Sequence, residues 1–498
     1  MVLLITELLK DWPCTAVGED LGIFVSGITE HSANVKQGYI FVVRKGASVD
    51  GACYIKEAID GGAVAIVMDR SLVHFQTNGI PIITVPDCRR FLAYACARFA
   101  GNPSEQLTVI AVTGTNGKTT VTHFVGQILS RFGVRSAVIG TTGIFVDGKK
   151  IDFEAPDMTT LPAEYFQPLL RKCLEEGVTH IVLEASSLGL STGRLDYCDI
   201  DIGVLLNIGI DHIDEHGGTS NYIRAKKKLV DMSKVFIANR DDEVCVKMTD
   251  SIANRCIYFG THSLSDVRIL REENLYLMVR NEKQEFPLSV PGNFNELNSA
   301  AAISVLLELG FQIKEIMKHV GALMLPEGRL QSYEQDGITV YVDFAHTPDA
   351  IEAVLRSLLG ICEGKLITVF GCGGNRDKGK RAKMGAIAAL YSSQVIVTSD
   401  NPRSEDPHLI IKDIIQGFRD DFKGVQVEPD RKRAIQMAIA LASEGDIVLI
   451  AGKGHEKTQQ TAEGVFLFSD QEEAKKALFS KQVNRGRNLL SNQFTDVN

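Results

Sequence analysis

The sequence has no excess of positive charge, no long apolar run and no start typical of secretion, and each absence excludes a class of protein. Its 498 residues carry 53 lysines and arginines against 62 aspartates and glutamates, a formal net charge of -9. This balance argues against a general nucleic-acid-binding protein, although a local basic cleft for a small anion stays compatible with it. No apolar run approaches the roughly 20 residues that a membrane helix needs. The first residues lack a basic segment and a long apolar core, so we expect no signal peptide.

The cysteines also lack the close pairing of a disulfide framework or a zinc site. Ten cysteines are scattered along the chain, and no two of them form a C-x-x-C pair. This distribution favours buried thiols in a reducing compartment. Together with the charge balance and the short apolar runs, it predicts a cytoplasmic protein without nucleic-acid or membrane partners.

The length of the chain predicts several domains, because a chain of this size exceeds what one hydrophobic core usually supports. A turn-rich Gly-Asn-Pro-Ser stretch at 101–104 indicates one boundary. The sequence Pro-Glu-Gly-Arg at 326–329 lies near a second boundary. We predict three domains, which cover residues 1–102, 103–331 and 332–498.

Apolar segments alternate with helix-like segments through most of the chain, which is the pattern of an α/β fold. Many apolar segments lack polar alternation, and this predicts parallel strands covered by helices on both faces. We predict a small N-terminal α/β domain, a central parallel-sheet domain of the P-loop type and a C-terminal Rossmann-like α/β domain. Ligand groups in such sheets lie at the carboxyl ends of the strands. The predicted strands are 39–43, 63–67, 136–140, 180–184, 202–206, 338–343, 366–370, 394–398 and 447–450, and the predicted helices are 54–60, 121–131 and 163–176.

A glycine-containing loop between a predicted strand and a predicted helix indicates a nucleotide-phosphate site. Residues 113–120 read Thr-Gly-Thr-Asn-Gly-Lys-Thr-Thr. Backbone N–H groups at such a turn, together with the helix dipole, bind phosphate oxygens. Lys118 would reach the outer phosphates, and Thr119 or Thr120 would offer a hydroxyl to Mg²⁺. The strict Walker spacing would place a glycine at Val112, but an ordinary glycine turn does not account for Gly-Lys-Thr-Thr.

Polar residues also follow other predicted strands of the central domain. Glu184 ends one strand, and it suits either a magnesium ligand or the start of a helix. Asp211, His212 and Asp214 follow the next strand; the histidine suits a metal ligand or a loop residue. Lys226 lies among three lysines, and on charge alone such a run predicts a solvated helix face.

Four loops of the C-terminal domain collect cations, carboxylates and glycines at predicted strand ends. One of them combines a glycine cluster with four cations, and small residues beside arginine forks suit an anionic ligand. Arginines beside Asp400 and Glu456 would suit a zwitterion, whose ammonium would meet the anions. Each loop alone is also compatible with a capped turn, but four together favour a binding site. These loops cover residues 341–349, 371–381, 399–403 and 451–456.

Taken together, these motifs resemble the Mur ligase family, the ATP-dependent amide-bond-forming ligases of peptidoglycan precursor synthesis, over essentially the whole chain. Residues 113–120 match the family's ATP loop, and 292–298 resemble its Phe-Asn-x-x-Asn motif on the adenine side. Residues 328–329 and 343–348 match its next nucleotide-contacting elements. The resemblance implies ATP and Mg²⁺ as cofactors. The implied ATP-binding residues are Gly114, Thr115, Asn116, Gly117, Lys118, Thr119, Thr120, Asn295, Asn298, Arg329 and Asp343.

The resemblance also assigns metal-binding and catalytic roles. It implies that Glu184 and His212 belong to the magnesium site, to which Thr119 would add its hydroxyl. Lys226 matches the family lysine that becomes a carbamate, an acidic group able to hold a second Mg²⁺. This implication replaces the solvated-lysine interpretation. The implied catalytic residues are Lys118, Glu184, His212 and Lys226.

The substrate-binding residues follow from the same resemblance. The sequence Asp400-Asn401-Pro402-Arg403 resembles the signature of members that add meso-diaminopimelate, in which the arginine binds the distal carboxylate. Together with these four, the implied amino-acid pocket contains Arg376, Gly452 and Glu456. The implied acceptor-binding residues are Ser32, Thr159, Thr160, Ser186, Thr192 and Arg194.

The chain departs from the family pattern on the acceptor side. Where the family usually reads Asp-Ser-Arg, this sequence has His31-Ser32-Ala33. Leu188 stands where the family usually has histidine, and Thr192 stands where glutamine is common. The loss of the arginine at Ala33 and of the histidine at Leu188 removes polar groups beside the expected UDP-sugar, so the amino acid is better defined by the sequence than the acceptor.

The resemblance implies that ATP activates a carboxylate. The terminal carboxylate of UDP-N-acetylmuramoyl-L-alanyl-D-glutamate would attack the γ-phosphate, and the amine of meso-diaminopimelate would then attack the acyl phosphate. Closure of the third domain onto the second would exclude water from that intermediate. The altered first domain favours one alternative, a paralogous or folylpolyglutamate-like ligase for a different carboxylate acceptor. A nucleotide-binding regulator or ATPase without ligase activity is another, and the pocket with Arg376, Arg403 and Glu456 counts against it.

Overall fold

Three α/β sheets follow one another along the chain, as the alternation of apolar and helix-like segments predicts. The structure is a computed structural model that describes residues 2–17, 22–44, 50–69, 79–209, 211, 213–250 and 256–493. The side chains of residues 213–214 and 483–493 lie outside that description. No helix in the described ranges combines the length and apolar character needed to cross a bilayer.

The N-terminal sheet has the strand order β2-β7-β6-β5-β4. The strands β4 to β7 pair in parallel, and β2 closes one edge in antiparallel pairing. A separate pair, β1 with β3, lies beside it. Helix α3 begins after Asp87, whose carboxylate accepts the backbone N–H groups of Arg89 and Arg90 at 2.8 and 3.1 Å. The elements are β1 Leu3–Leu4, α1 Ile5–Leu8, β2 Thr15–Val17, β3 Phe24–Val25, β4 Gly27–Thr29, β5 Tyr39–Val42, α2 Ile55–Asp60, β6 Ala63–Met68, β7 Ile82–Thr84 and α3 Cys88–Phe99.

The central sheet has a parallel middle with antiparallel edges, in the order β11-β10-β9-β12-β8-β13-β14-β15-β16-β17-β18. Neighbouring strands from β9 to β16 in this order are parallel, and the two outer hairpins are antiparallel. The elements are β8 Thr108–Thr113, α4 Lys118–Arg131, β9 Ser136–Gly140, β10 Gly143–Val146, β11 Lys149–Ile151, α5 Ala163–Glu175, β12 His180–Glu184, α6 Ser187–Ser191, β13 Ile200–Leu205, α7 Ile213–His216, α8 Thr219–Met232, β14 Ser233–Asn239, α9 Glu243–Thr249, β15 Cys256–Gly260, β16 Val267–Arg271, β17 Leu275–Val279, β18 Glu282–Glu285, α10 Asn293–Glu308 and α11 Ile313–Val320.

The position of β8 inside the central sheet explains why its sequence shows no alternation of polar and apolar residues. Val109 and Ala111 belong to the core on one face of the sheet, where α5, α8 and α9 pack. Ile110 and Val112 belong to the core on the other face, where α4, α10 and α11 pack. Because helices cover both faces of the sheet, side chains that point to either face are buried, and all of these positions are apolar. The position of β8 between β12 and β13 brings the three loops that follow these strands together.

The C-terminal sheet has the order β19-β20-β24-β21-β22-β23, with β19 antiparallel at one edge and the other strands parallel. Helices cover both of its faces. The loops after β20, β21, β22 and β24 therefore meet at one edge. The elements are β19 Gln331–Gln335, β20 Ile338–Asp343, α12 Pro348–Leu359, β21 Leu366–Phe370, α13 Arg381–Tyr391, β22 Gln394–Val397, α14 Pro407–Ile415, β23 Val425–Val427, α15 Arg431–Leu441, β24 Ile447–Ala451, β25 Thr458–Thr461, β26 Gly464–Leu467 and α16 Asp470–Gln493.

Candidate active site

The predicted phosphate loop connects the carboxyl end of β8 to the amino end of α4. Gly117 has φ 91°, in the left-handed region that favours glycine. A Cβ atom on Gly117 would collide with Oδ1 of Asn298, and one on Gly114 would lie 2.9 Å from Cβ of Leu206. The Lys118 side chain folds back onto the loop, and its ammonium donates to the carbonyl of Gly114 at 2.8 Å. Glycine therefore keeps open the space that a phosphate cradle requires.

The loop borders a cavity of about 530 Å³ between the central sheet and the C-terminal domain. Its size and mixed lining are those of a small-molecule site. Every residue predicted to bind ATP lines this cavity except Gly114. Glu184, Thr159 and Phe344 also line it, together with Asp211, Asn239 and Asp242, which the prediction did not name as nucleotide contacts.

Arg329 joins the two domains across this cavity. Its Nη2 donates to the Thr119 hydroxyl at 3.0 Å, and its guanidinium lies 4.7 Å from the centre of the Phe344 ring. Its Nε–H is buried and has no hydrogen-bond partner among the described residues. Asp343 is held by the backbone N–H groups of Leu330 and Ala345, each at 2.7 Å. A partly buried cation whose Nε–H has no partner among the described residues fits an anionic or acceptor-rich ligand such as a nucleotide.

Oxygen donors also line the cavity near the phosphate loop. The buried Glu184 accepts the backbone N–H of Thr141 at 2.9 Å and its hydroxyl at 3.1 Å. These bonds fix the carboxylate while lone pairs remain available, and Asp211 adds a second buried carboxylate. Hard oxygen donors of this kind fit Mg²⁺. His212, the other predicted metal residue, lies outside the described residues.

Lys226 is buried, so the solvated position that its charge alone predicts is wrong. Its side chain is 1% exposed, whereas the neighbouring Lys227 and Lys228 are partly exposed. Along α8 the buried positions recur at helical spacing, and Lys226 falls within that stripe with Tyr222 and Leu229. Burial, and then the positive charge of Lys118, lower the pKa of Lys226 well below its ordinary value. Its Nζ lies 3.4 Å from the Thr113 hydroxyl, at the start of the phosphate loop.

Most of the predicted acceptor-binding residues form one network at the carboxyl end of β12. The Thr160 hydroxyl accepts the backbone N–H of Ser186 at 2.9 Å, and its carbonyl accepts Nη1 of Arg194 at 2.7 Å. The Thr159 and Thr141 hydroxyls lie 3.1 Å apart, which connects this network to Glu184.

The other two predicted acceptor residues lie apart from that network. The Thr192 hydroxyl donates to the carbonyl of Leu188 at 2.6 Å, so it is directed towards its own helix end. Ser32 lies on the short helical turn Ser32–Asn34 of the N-terminal domain. Its neighbour Asn34 donates to the Tyr165 hydroxyl on α5 at 2.9 Å. Docking of this turn on α5 is what brings Ser32 towards the central domain.

The predicted amino-acid pocket forms where three loops of the C-terminal sheet meet. Arg403 has φ 54°, an uncommon value for a residue other than glycine, and its Nη1 donates to the carbonyl of Gly374 at 2.8 Å. A Cβ on Gly452 would lie 2.6 Å from Oδ2 of Asp400, so only glycine fits there. Asn401 donates to Oε2 of Glu456 at 2.9 Å. Arg376 instead pairs across the domain boundary with Glu215 of α7 at 3.2 Å.

Lys453 is a pocket residue that the sequence analysis did not single out. Its side chain is 0% exposed, and its ammonium donates to Oδ1 of Asn401 at 2.9 Å and to Oε2 of Glu456 at 2.7 Å. The usable signal was its spacing, three residues before Glu456 in the same loop.

The nucleotide cavity and the amino-acid pocket lie side by side. A Cβ on Gly328, next to Arg329, would collide with the backbone N of His455, next to Glu456. The His455 and Phe344 rings have centroids 5.2 Å apart. The arrangement can therefore place a nucleotide phosphate and a zwitterion next to each other.

Known protein families match the chain in three consecutive parts. The matching models are Mur ligase family, catalytic domain, over residues 24–100; Mur ligase middle domain, over residues 112–306; and Mur ligase, glutamate ligase domain, over residues 328–454.

Curated relatives match over nearly the full length. UDP-N-acetylmuramoyl-L-alanyl-D-glutamate--2,6-diaminopimelate ligase 2 of Clostridium acetobutylicum is 36% identical over 475 residues, 94% of this chain and 98% of the relative. The corresponding Aquifex aeolicus ligase is 38% identical over 465 residues, 91% of this chain and 94% of the relative.

Solved structures show the same fold. A UDP-N-acetylmuramoyl-L-alanyl-D-glutamate--2,6-diaminopimelate ligase structure superposes with a TM-score of 0.68 at 31% identity, and it covers 97% of this chain and 100% of its own. The MurF ligase of Thermotoga maritima in complex with ADP has a TM-score of 0.61 at 20% identity, over 92% of this chain and 98% of its own, and shows the fold alone. The prediction of a three-domain α/β fold is confirmed.

Proposed function

Because the chain belongs to the Mur ligase family, we propose that it joins meso-diaminopimelate to UDP-N-acetylmuramoyl-L-alanyl-D-glutamate at the expense of ATP. The observation that carries this proposal is the contact of the nucleotide cavity with the zwitterion pocket, where Gly328 approaches His455. A ligase that uses an acyl phosphate needs this adjacency, since the incoming amine must reach the activated carbon before water does.

The nucleotide is assigned to the cavity beside the phosphate loop. Backbone N–H groups of residues 114–120 and the Lys118 ammonium would bind its phosphates. Arg329, which donates to Thr119 of the loop, would lie beside the phosphates. Asn295, Asn298 and Asp343 would bind the other end of the nucleotide. Thr119, Glu184 and Asp211 offer the oxygen ligands that Mg²⁺ prefers, and His212 joins them by family resemblance. When bound, Mg²⁺ supplies charge neutralisation at the phosphates.

The acceptor is assigned to the network at the end of β12. Thr159, Thr160, Ser186 and Arg194 would hold its peptide so that the terminal carboxylate faces the γ-phosphate. A carboxylate oxygen forms a bond to phosphorus as the bond to ADP breaks, which gives an acyl phosphate and ADP. Lys118 lies where it would neutralise charge on the transferred group.

The amino acid is assigned to the pocket in the C-terminal domain. Arg376 and Arg403 would bind the distal carboxylate of meso-diaminopimelate, which lysine lacks, and Asp400, Asn401 and Glu456 would receive its ammonium groups. Pro402 and Gly452 shape the backbone of the pocket. The amine nitrogen attacks the acyl carbon, the bond from that carbon to the phosphate oxygen breaks, and the amide forms as phosphate and a proton leave.

Lys226 is assigned to the metal side of the site as a carbamate. Burial lowers the pKa of Lys226 well below its ordinary value, which favours the neutral amine, and the neutral amine is the form that adds CO₂. The nitrogen–carbon bond forms as one C=O π bond of CO₂ opens and a proton leaves the nitrogen, so the neutral amine becomes an anionic carbamate. The resulting group would lie near Thr113, at the start of the phosphate loop.

We further propose a monomeric, cytoplasmic enzyme with small-molecule substrates and without nucleic-acid or membrane partners. The domain boundaries near residues 102 and 331 remain part of this proposal. The departures at His31, Ala33 and Leu188 favour one second candidate, a Mur-type ligase that takes a different carboxylate acceptor.

An ADP-release assay tests the proposal. Purified enzyme receives ATP, Mg²⁺ and UDP-N-acetylmuramoyl-L-alanyl-D-glutamate, with meso-diaminopimelate, L-lysine or no amino acid. We expect turnover with meso-diaminopimelate only. Turnover with lysine but not meso-diaminopimelate would overturn the amino-acid assignment. Tight ATP binding without turnover on this acceptor would favour the second candidate.

A further inference from the structure

Three side chains that suit a metal ion meet where the N-terminal domain docks on the central domain. Glu30 and His31 follow β4, and Glu164 lies in the first turn of α5. One ligand atom from each residue lies within 4.8 Å of the other two. The backbone N–H of Glu30 donates to Oε2 of Glu164 at 3.2 Å, so this cluster belongs to the interface between the domains.

The second oxygen of Glu164 marks the place for a cation. Its side chain is 4% exposed, and Oε1 is buried without a hydrogen-bond partner among the described residues. Nε2 of His31 lies 3.8 Å from Oε1. This distance is too long for a hydrogen bond. Two ligands of one tetrahedral Zn²⁺ with bonds near 2.1 Å lie about 3.4 Å apart, so the gap is close to that of a bridging ion.

We propose that Glu30, His31 and Glu164 bind one divalent transition-metal ion, for which Zn²⁺ is the best match. One imidazole with two carboxylates is a donor set typical of zinc, whereas Mg²⁺ and Ca²⁺ prefer oxygen ligands alone. His31 is 59% exposed, which gives the ion a path from solvent and leaves room for a water ligand. The ion would fasten the N-terminal domain to α5.

Surrounding groups orient the proposed ligands. Arg44 donates to Oε2 of Glu30, so Oε1 of Glu30 is the oxygen proposed to bind the ion. The Thr29 hydroxyl accepts the backbone N–H of His31 at 3.1 Å, which fixes the turn before the imidazole. Outer partners of this kind set ligand orientation in metal sites. His31 is also one of the departures from the family pattern, so the site would be a property of this chain.

The test uses the full chain, stripped of metal by a chelator and kept in excess Mg²⁺ without ATP. Zn²⁺ is titrated by calorimetry against a competing chelator, and bound zinc is counted by mass spectrometry. We expect one tight site per chain, weakened at least about tenfold in H31Q and in E164Q. The matched control is H408Q, which changes an exposed histidine at the start of α14 and should bind zinc as wild type does. Equal affinity in wild type and H31Q would overturn the proposal, as would the absence of a tight site.

X-ray absorption on the zinc-loaded protein tests whether one of the ten cysteines binds the zinc instead. A shell of nitrogen and oxygen ligands supports the site, and a sulfur ligand overturns it. Because E164Q alters a buried side chain, H31Q supplies the independent measurement. Zn²⁺ should raise the melting temperature of wild type and H408Q but not of H31Q, and an equal rise in H31Q would contradict the proposal.

Discussion

Replacing Lys453 with methionine would test whether this buried lysine positions the amino-acid pocket. Its ammonium donates to Asn401 and to Glu456, two residues assigned to the diaminopimelate ammonium groups. Methionine keeps most of the side-chain length in this buried position but removes the charge and both hydrogen bonds. The Glu456 carboxylate would then lose its nearest cation and one of the two donors that hold it.

The expected change in KM follows from the hydrogen bonds that Asn401 and Glu456 keep in K453M. Asn401 Oδ1 still accepts the backbone N–H of Gln460 at 3.0 Å, and Glu456 Oε2 still accepts Asn401 Nδ2 at 2.9 Å. Neither group is left without a donor, and the partly exposed Glu456 can be hydrated. We therefore take the lower part of the range for a hydrogen bond to a charged group, about 2 kcal/mol. This corresponds to a roughly 30-fold rise in KM for meso-diaminopimelate.

Steady-state ADP release measures this effect, with each substrate varied in turn and folding checked by circular dichroism. The KM for ATP should change little, because Lys453 is absent from the lining of the nucleotide cavity. The control is K457M, since Lys457 lies in the same loop but its side chain is 74% exposed. A KM for meso-diaminopimelate within twofold of wild type would refute the reasoning. An equal rise in the KM for ATP would do the same.

Three further changes address the other parts of the site. R403A should raise the KM for meso-diaminopimelate by about 10–150-fold, since a charge-assisted carboxylate contact contributes about 1.5–3 kcal/mol; an unchanged KM in the ADP-release assay would remove Arg403 from this role. G117A should abolish tight ATP binding in a nucleotide titration, because its Cβ would collide with Asn298; wild-type affinity would contradict the cradle geometry. K226M should exceed wild type in urea stability at neutral pH without CO₂. Because the pKa of Lys226 is lowered in the folded chain, the unfolded chain binds the proton of this lysine more tightly. The free energy of unfolding of wild type therefore rises with pH up to about 10.5, and the stability difference between K226M and wild type becomes smaller. A stability difference that stays constant across that range would be inconsistent with a lowered pKa of Lys226.

The parallel strands were predictable from sequence because both faces of each sheet are covered. The uninterrupted apolar run 181–183 is buried on both sides, and it forms the middle of β12, His180–Glu184. The outer hairpins of the central sheet were not predicted. Strand β18 contains Glu-Lys-Gln-Glu and is largely exposed, so no apolar pattern marks it. Its pairing depends on the neighbouring β17 and not on its own composition.

Site residues could be predicted where they lie together in one loop. They were harder to predict where their position depends on how helices and distant loops pack. The Gly-Lys-Thr-Thr sequence is local, so the phosphate loop could be recognised directly. The burial of Lys226 depends instead on which face of α8 packs against the sheet, and a run of three lysines hides that face. Lys453 shows the same limit, since its partner Asn401 is 52 residues away in sequence. Contacts between distant loops follow from strand order, which a single sequence does not state.

The contact of Glu215 with Arg376 adds a step to the proposed cycle. Arg376 is assigned to a substrate carboxylate, and in this structure it pairs with the carboxylate of Glu215 on the central domain. A diaminopimelate carboxylate would have to take the place of Glu215 or share the guanidinium with it. Because the pair spans the domain boundary, that exchange would alter how the C-terminal domain rests on the nucleotide domain. Amino-acid binding and domain closure would then be linked through one arginine, and by reciprocity any closure driven by ATP would alter the affinity for the amino acid.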